Sequence, residues 1–143
     1  MIFLLASLVF ILDRITKIIA VSTMSYGQSI KVLPNIFHIT LVLNNGTAFG
    51  LMKGQNAILA VITAIAIALI VIYVVTHKSL GIAVSVALGF ILGGAMGNLL
   101  DRIKFSYVID FLDFRIWPVF NIADSAITLG MLILVVILCT RSS

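Results

Sequence analysis

Two long stretches without a charged residue constrain this chain more than any other feature. One covers residues 57–76 and the other covers residues 80–100. A helix rises about 1.5 Å per residue, so a helix of about 20 residues matches the roughly 30 Å hydrocarbon core of a bilayer. Because only helices and closed barrels satisfy every backbone hydrogen bond in lipid, both stretches are predicted to be transmembrane helices.

Two further apolar stretches, residues 2–21 and 121–139, are interrupted by a few charges. Hydrophobic residues make up 62% of the chain and charged residues 10%, whereas soluble domains are about 25% charged. A soluble domain of 143 residues cannot bury so much apolar surface, and a disordered chain would be more polar. We therefore expect an all-α membrane protein, a single domain over 1–143, with four transmembrane helices at about 2–21, 57–76, 80–100 and 121–139.

The remaining segments are predicted to lie at the membrane surface. Residues 22–56 contain the stretch 37–43, which alternates as a strand does, followed by the turn signal Asn44, Asn45 and Gly46. We expect a small strand-containing lobe there, on the outer surface of the membrane. Residues 101–120 mix aromatic and charged side chains, which is typical of an interfacial segment.

Charge and cysteine content limit the partners. The net charge is +4, but the basic residues are scattered singly along apolar sequence. This pattern indicates contact with anionic membrane lipid and argues against nucleic-acid binding. The single cysteine, Cys139, and two isolated histidines, His38 and His77, do not form a recognisable metal-binding pattern, so no metal site is expected.

Glycines recur along the third apolar stretch. Gly89, Gly93 and Gly97 form two successive GxxxG steps. Such steps allow membrane helices to approach closely, so helix packing is the predicted role of these glycines.

Asp110 and Asp124 each have apolar neighbours on both sides. A carboxylate in lipid costs about 2.5–3.5 kcal/mol on insertion scales, so each requires a role. In the structural interpretation, Asn121 caps the fourth helix with Asp124 as its first-turn acid, and Asp110 is solvated at the interface. In the catalytic interpretation, the two carboxylates share a proton, and one activates water while the other protonates a carbonyl.

The catalytic interpretation requires a chain reversal between the two acids. Asp110 and Asp124 are fourteen residues apart, which in one straight helix means a separation of about 21 Å. Pro118 is the predicted helix breaker between them. Asp113, in the same segment, is predicted to be solvated.

A second polar cluster lies at the end of the third stretch. Asn98, Asp101 and Arg102 share one helix face because they are three and four residues apart. They form either an interfacial helix end or a set of groups that orients the carboxylates or a substrate. Asp13 and Lys17, at i and i+4, are predicted to form a structural ion pair.

These residues together resemble lipoprotein signal peptidase (signal peptidase II), a family of aspartyl peptidases of bacterial membranes. DRITK at 13–17 is similar to its D-x-x-[ST]-K element, and Asn45–Gly50 is similar to its N-x-G-x-A-F box. GGAMGNLLDR at 93–102 resembles its GGAxGNxxDR box. YVIDF at 107–111 with FNIADS at 120–125 resembles its V-x-D-F and F-N-x-A-D pair. The resemblance spans residues 10 to 135.

The resemblance implies an aspartyl endopeptidase that removes signal peptides from prolipoproteins, cutting just before a diacylglyceryl-modified cysteine. It implies Asp110 and Asp124 as the catalytic residues, with Asp13 and Lys17 as a structural element. Around the dyad or the substrate it implies Asn45, Gly46, Asn98, Asp101, Arg102 and Asn121. It further implies inhibition by globomycin, no metal or organic cofactor, and prolipoproteins and membrane lipid as partners; a monomer suffices for the chemistry.

The family topology implies a bacterial inner-membrane protein with both termini in the cytoplasm and the site toward the outer face. Counting positive charges favours the opposite orientation. The basic residues placed outside by the family topology are Lys31, Lys53, Arg102, Lys104 and Arg115. Those placed inside are Lys78 and Arg141.

Two other classes of function fit the sequence less well than a peptidase. A non-catalytic membrane helper, or a lipopeptide-binding relative of the same fold, would retain the helices while losing part of the polar set, and this chain has lost none of it. An ion carrier would distribute acids across the membrane depth, whereas Asp101, Asp110 and Asp124 all lie near the ends of the third and fourth helices.

Overall fold

The structure is a computed structural model that describes residues 1–46, 55–77 and 79–141. It is mostly helical, with a small antiparallel sheet. The helices are α1 (Ile2–Thr23), α2 (Asn56–Thr76), α3 (Ile82–Phe105) and α4 (Ile122–Arg141). The strands are β1 (Ser29–Leu33), β2 (Phe37–Asn44) and β3 (Val108–Asp113).

Three helices are long and apolar enough to cross a membrane. They cover Asn56–Thr76, Ile82–Phe105 and Ile122–Thr140. α1 has a comparable length of 22 residues but carries Asp13, Arg14 and Lys17 within it. Length and composition therefore make three of the four predicted spans candidates for crossing a membrane.

α3 lies between α1 and α4, and its glycines allow the close approach. A Cβ atom on Gly93 would lie 2.5 Å from the carbonyl oxygen of Ala6 in α1. One on Gly94 would overlap the carbonyl oxygen of Ala123 in α4. Further along the same contact, Gly130 of α4 approaches α3 closely, since a Cβ atom there would lie 2.6 Å from the Ala87 carbonyl oxygen. The prediction that these glycines serve helix packing is confirmed.

The sheet packs against one end of the helices. Its strand order is β1-β2-β3, with antiparallel pairing throughout. Buried apolar residues join the sheet to the end of α1, and this small core consists of Ala20, Met24, Leu41, Ile109 and Phe111. The carboxyl ends of α1 and α3 and the amino end of α4 thereby meet at one end of the bundle.

The predicted strand in the lobe is confirmed as β2, but the end of α3 and the structure of the segment after it differ from the prediction. α3 continues five residues beyond its predicted end at residue 100, because its charged residues at 101 and 102 are accommodated inside the protein. The predicted interfacial segment 101–120 also contains β3, which pairs with β2 through Val42 and Asp110. β3 is buried on both faces, so it lacks the alternation that reveals a half-buried strand.

The chain reverses between β3 and α4, as the catalytic interpretation required. The Phe120 carbonyl oxygen accepts hydrogen bonds from the backbone N–H groups of Phe111 and Leu112, and the Phe120 N–H donates to the Leu112 carbonyl. Arg115, within the intervening loop, has a left-handed φ of 66°. The reversal places the beginning of α4 beside Asp110.

Candidate active site

Asp110 and Asp124 line the same cavity. Asp110 is in the middle of β3 and only 1% exposed, while Asp124 lies in the first turn of α4. The cavity has a volume of about 850 Å³. Sheet pairing fixes one carboxylate and the helix start fixes the other, so both are held by regular structure.

Side-chain amides surround the two carboxylates. Asn44 donates from Nδ2 to Oδ2 of Asp110 at 2.9 Å, and Asn121 donates from Nδ2 to Oδ1 of Asp110 at 2.7 Å. Asn98 donates from Nδ2 to Oδ1 of Asp124 at 2.8 Å. The Asn121 amide also reaches Oδ1 of Asn98 at 3.1 Å, so the supports of the two acids are connected.

Asn121 and Asp124 also form the predicted capping box. The backbone N–H of Asp124 donates to Oδ1 of Asn121 at 2.9 Å, and the backbone N–H of Asn121 donates to Oδ2 of Asp124 at 3.3 Å. This reciprocal pair satisfies two helix-terminal donors. The structural interpretation of Asp124 is therefore correct, and it coexists with a position on the cavity wall.

Arg102 supplies positive charge to the same cavity. It lines the wall in the last turn of α3. Its buried Nε has no hydrogen-bond partner among the residues that the structure describes. A buried donor without a partner is costly, so this N–H is available to a carbonyl oxygen brought by a ligand.

A largely buried group of four charged residues lies next to the site. Lys17 Nζ lies 3.0 Å from Oδ2 of Asp13 and 2.8 Å from Oδ2 of Asp101. Arg14 pairs with the same two acids, at 3.0 Å from Asp13 Oδ2 and 2.7 Å from Asp101 Oδ1. The predicted Asp13–Lys17 pair is therefore present within a neutral quartet of two acids and two bases.

The two acids of the quartet also bind backbone groups beside the dyad. Asp101 Oδ2 accepts from the N–H of Ile109 at 3.2 Å, which fixes the strand position preceding Asp110. Asp13 Oδ1 accepts from the N–H of Ala123 at 3.1 Å, which fixes the helix position preceding Asp124. The quartet thus positions the main chain next to each carboxylate.

The motif comparison predicts Asn45 as the asparagine beside the two carboxylates, but the neighbouring Asn44 occupies that place. The structure places Asn44 on Asp110, whereas Asn45 is exposed. Gly46 lines the cavity as expected, and its N–H donates to Oδ1 of Asn44 at 3.0 Å. The signal was present, because the N-x-G-x-A-F spacing fits an asparagine two residues before Gly46. The rest of that box, 47–50, lies outside the described residues.

The prediction that Asp113 is solvated is wrong, because the residue is buried. Its side chain is 5% exposed and pairs with Arg115 at 2.9 Å. Thr40 donates to Asp113 Oδ2 at 2.7 Å. Burial alone would raise the pKa of Asp113, but the hydrogen bonds from Thr40 and Arg115 hold it below its usual value. This acid stabilises the start of the loop and does not line the cavity.

Burial raises the pKa of Asp110 to about 7, and the neighbouring Asp124 carboxylate contributes to the rise. Hydrogen bonds from Asn44 and Asn121 and the charge of Lys17 oppose it. Near neutral pH, Asp110 therefore exchanges a proton readily, which is the property required of a carboxyl group that serves as acid or base.

Asp110 is expected to make the protein less stable as pH rises from about 4 to about 7. In this window the folded state keeps a proton that the unfolded chain releases, so the free energy of unfolding falls by up to about 1.4 kcal/mol per pH unit. Asp110→Asn should flatten this slope in melting temperatures measured in detergent from pH 4 to 8. Asp113→Asn is the control, because the lowered pKa of Asp113 places its contribution below this window. Equal slopes for Asp110→Asn and the unaltered chain would contradict the assignment.

The rest of the cavity wall is largely apolar. The loop after β3 contributes aromatic side chains, and the first two turns of α4 contribute Ile127 and Leu129. The loop side chains are exposed, with Ile116 at 93% and Trp117 at 58%. The cavity therefore combines a few polar groups with an apolar wall, part of it on α4, that can receive an apolar ligand.

Comparisons with known proteins point to one family. A model of the signal peptidase (SPase) II family matches residues 5–140. The lipoprotein signal peptidase of Halothermothrix orenii is 41% identical over 138 residues, covering 96% of this chain and 94% of that protein. The Geobacillus kaustophilus protein of the same name is 43% identical over 136 residues, covering 92% and 88%. A solved structure of a bacterial membrane enzyme superposes with a TM-score of 0.93 at 34% identity, covering 99% of this chain and 89% of that one.

Proposed function

The chain belongs to the signal peptidase II family, and we propose that it removes signal peptides from bacterial prolipoproteins, cutting just before a diacylglyceryl-modified cysteine. The observation that carries the proposal is the cavity itself. Asp110 and Asp124 line it together with a largely apolar wall. A peptide bond next to a lipidated residue needs both features at once.

The proposed mechanism is that of an aspartic endopeptidase, without a metal or organic cofactor. Asp124 lies at a helix N-terminus, which favours its anionic form, so it acts as the base toward a water molecule. The hydroxide adds to the scissile carbonyl carbon while Asp110 gives its proton to the carbonyl oxygen. When the tetrahedral intermediate collapses, the C–N bond breaks and the leaving amine takes the proton held by Asp124. Asp110 recovers its proton from one hydroxyl of the intermediate, which becomes the carbonyl of the new carboxyl group.

Neighbouring groups are assigned to support and substrate contact. Asn98 and Asn121 orient the carboxylates, and Asn44 joins them on the evidence of its contact with Asp110. The free Nε of Arg102 would donate to a substrate backbone carbonyl. Asn45 and Gly46, where the lobe borders the cavity, are proposed to contact the substrate.

We further propose that α1 is a fourth transmembrane helix. Its charged residues are packed against α3 and α4, and its other faces are apolar and exposed, including Leu4, Leu8 and Ile18. A helix of this kind suits lipid because its polar groups face the bundle interior. The sheet would then lie at one membrane surface, with both termini and the link between α2 and α3 at the other.

The family orientation places the sheet and the dyad at the outer face of the bacterial inner membrane. Charge counting opposes this, but two of the positive residues on the sheet side have structural roles. Arg115 is paired with Asp113, and Arg102 lines the cavity. Such residues are fixed by the site and report poorly on orientation. One chain supplies both carboxylates and their supports, so a monomer is proposed.

The test is cleavage of a purified prolipoprotein by the unaltered chain in lipid. We expect the diacylglyceryl-modified precursor to be cut before its cysteine at least about 100-fold faster than the same precursor with an unmodified cysteine, because acyl chains bury many methylene groups. Mass spectrometry of the products identifies the bond. Equal cleavage of both precursors would contradict the proposed substrate. Binding of the lipidated precursor without cleavage would favour the lipopeptide-binding alternative.

A further inference from the structure

Lys17 has contacts that exceed those of a structural ion pair. Its side chain is 1% exposed, and its ammonium lies within 3.0 Å of three oxygens. Two belong to the carboxylates of Asp13 and Asp101, and the third is Oδ1 of Asn98. An ammonium has three N–H donors and no acceptor. Each donor is therefore used, and one of them is used on a neutral amide beside the dyad.

Lys17 and the Asn121 amide both donate to Oδ1 of Asn98, and together they determine which way the Asn98 amide points. The two ends of an asparagine amide have the same shape but opposite hydrogen-bonding character. Since Lys17 only donates, the oxygen of Asn98 must face it, and the Asn98 nitrogen must face Asp124. The observed bond from Asn98 Nδ2 to Asp124 Oδ1, at 2.8 Å, is the consequence. A reversed amide would present an oxygen to that carboxylate.

We propose that Lys17 is a positioning residue for the reaction, which acts by holding the Asn98 amide in the orientation that donates to Asp124. The inference rests on the proposed function, since it assigns to Asp124 a role in cleavage. It goes beyond charge balance, because Asp13 and Asp101 are also paired with Arg14.

Charged groups on four elements face this cluster and must be controlled in any test. They are Asp13 and Arg14 on α1, Asp101 and Arg102 on α3, Asp110 on β3 and Asp124 on α4. Removing Lys17 alone would leave an excess negative charge among them. The informative variant is therefore the double substitution Lys17→Met with Asp13→Asn, which removes one charge of each sign. It is compared with Asp13→Asn alone, because Asp13 also accepts from the Ala123 N–H beside Asp124.

The double variant is expected to melt closer to the unaltered protein than Lys17→Met alone, because the quartet is again neutral. Its kcat on the diacylglyceryl-modified precursor should nevertheless be at least tenfold lower, with KM within twofold. The acidic limb of its pH–rate profile should move upward by about one pH unit, because the anion loses a fixed hydrogen-bond donor. Lys31→Met, on the exposed strand β1, is the matched control and should change none of these.

Two further measurements make the outcome decisive. In a double-mutant cycle, adding the Lys17→Met and Asp13→Asn pair to Asn98→Ala should cause little further loss of kcat, because the lysine acts through Asn98. Lys17→Arg retains the charge, but its planar guanidinium cannot direct three donors to the same oxygens. It should lower kcat even if the methionine variants fail to fold.

A readout without cleavage separates this inference from the proposed function. The infrared band of protonated carboxyl groups is assigned with Asp110→Asn and Asp124→Asn, and its titration midpoint should also rise in the double variant. If the unaltered chain cuts no precursor, the proposed function fails, and the infrared midpoint still decides the role of Lys17. An unchanged midpoint, or a kcat equal to that of the unaltered chain, would show that Lys17 only balances charge.

Discussion

Replacing Asp110 or Asp124 by asparagine is expected to reduce prolipoprotein cleavage by about 10³-fold or more while the protein remains folded, since each acid handles a proton in the reaction. Asparagine keeps the size of the side chain, and both positions are supported by amides from neighbouring elements. The measurement is kcat on a diacylglyceryl-modified precursor in lipid, together with the melting temperature of each variant.

The control for the dyad comes from the same strand. Asp113 lies three residues after Asp110 but is engaged by Thr40 and Arg115 and does not line the cavity. Asp113→Asn should retain cleavage within a few-fold of the unaltered chain. If a folded Asp110→Asn or Asp124→Asn variant cuts as fast as Asp113→Asn, the dyad assignment is wrong.

Replacing Gly93 is expected to have the largest effect on folding. A Cβ atom there would lie 2.5 Å from the Ala6 carbonyl oxygen and 2.7 Å from the Val9 Cβ, so the backbone of α1 would have to move. Gly93→Ala should lower the free energy of unfolding by about 3 kcal/mol and the melting temperature by about 10 °C. The larger Gly93→Val should prevent stable folding. The melting temperature in detergent and the yield of folded protein provide the measurement.

Gly81 is the matched control for this prediction. It precedes the first turn of the same helix, α3, and a Cβ atom there meets nothing within 4 Å. Gly81→Ala should therefore leave the melting temperature almost unchanged. If Gly81→Ala and Gly93→Ala lowered the melting temperature equally, helix contact would not be the reason for glycine at position 93.

The helices and the two carboxylates that line the cavity were predictable because their signals are local. An uncharged run of about 20 residues indicates a membrane helix regardless of its neighbours. The signals for Asp110 and Asp124 were their apolar surroundings and the motifs containing them. The end of α3 was harder to predict from the sequence, because Asp101 is neutralised by Arg14 and Lys17, which are distant in sequence.

The remaining errors have physical causes of two kinds. β3 was missed since both of its faces are buried, and no alternation of apolar and polar residues marks such a strand. Asn44 is the last residue of β2 and reaches Asp110, whereas Asn45 lies just beyond the strand and is exposed, and the sequence does not show where β2 ends. The role inferred for Lys17 depends on three oxygens from two helices, and no spacing rule brings these together.

The bond between Asp13 and Ala123 has a consequence for biosynthesis. It joins the first helix to the start of the last one, across 110 residues of sequence. A nascent chain that has inserted α1, α2 and α3 still lacks Asn121 and Asp124, so Asp110 has neither the Asn121 amide nor its partner carboxylate. Hydrolytic capacity would therefore arise only after the start of α4 has been synthesised. Unfinished chains would be inert toward the other precursors leaving the same translocation machinery.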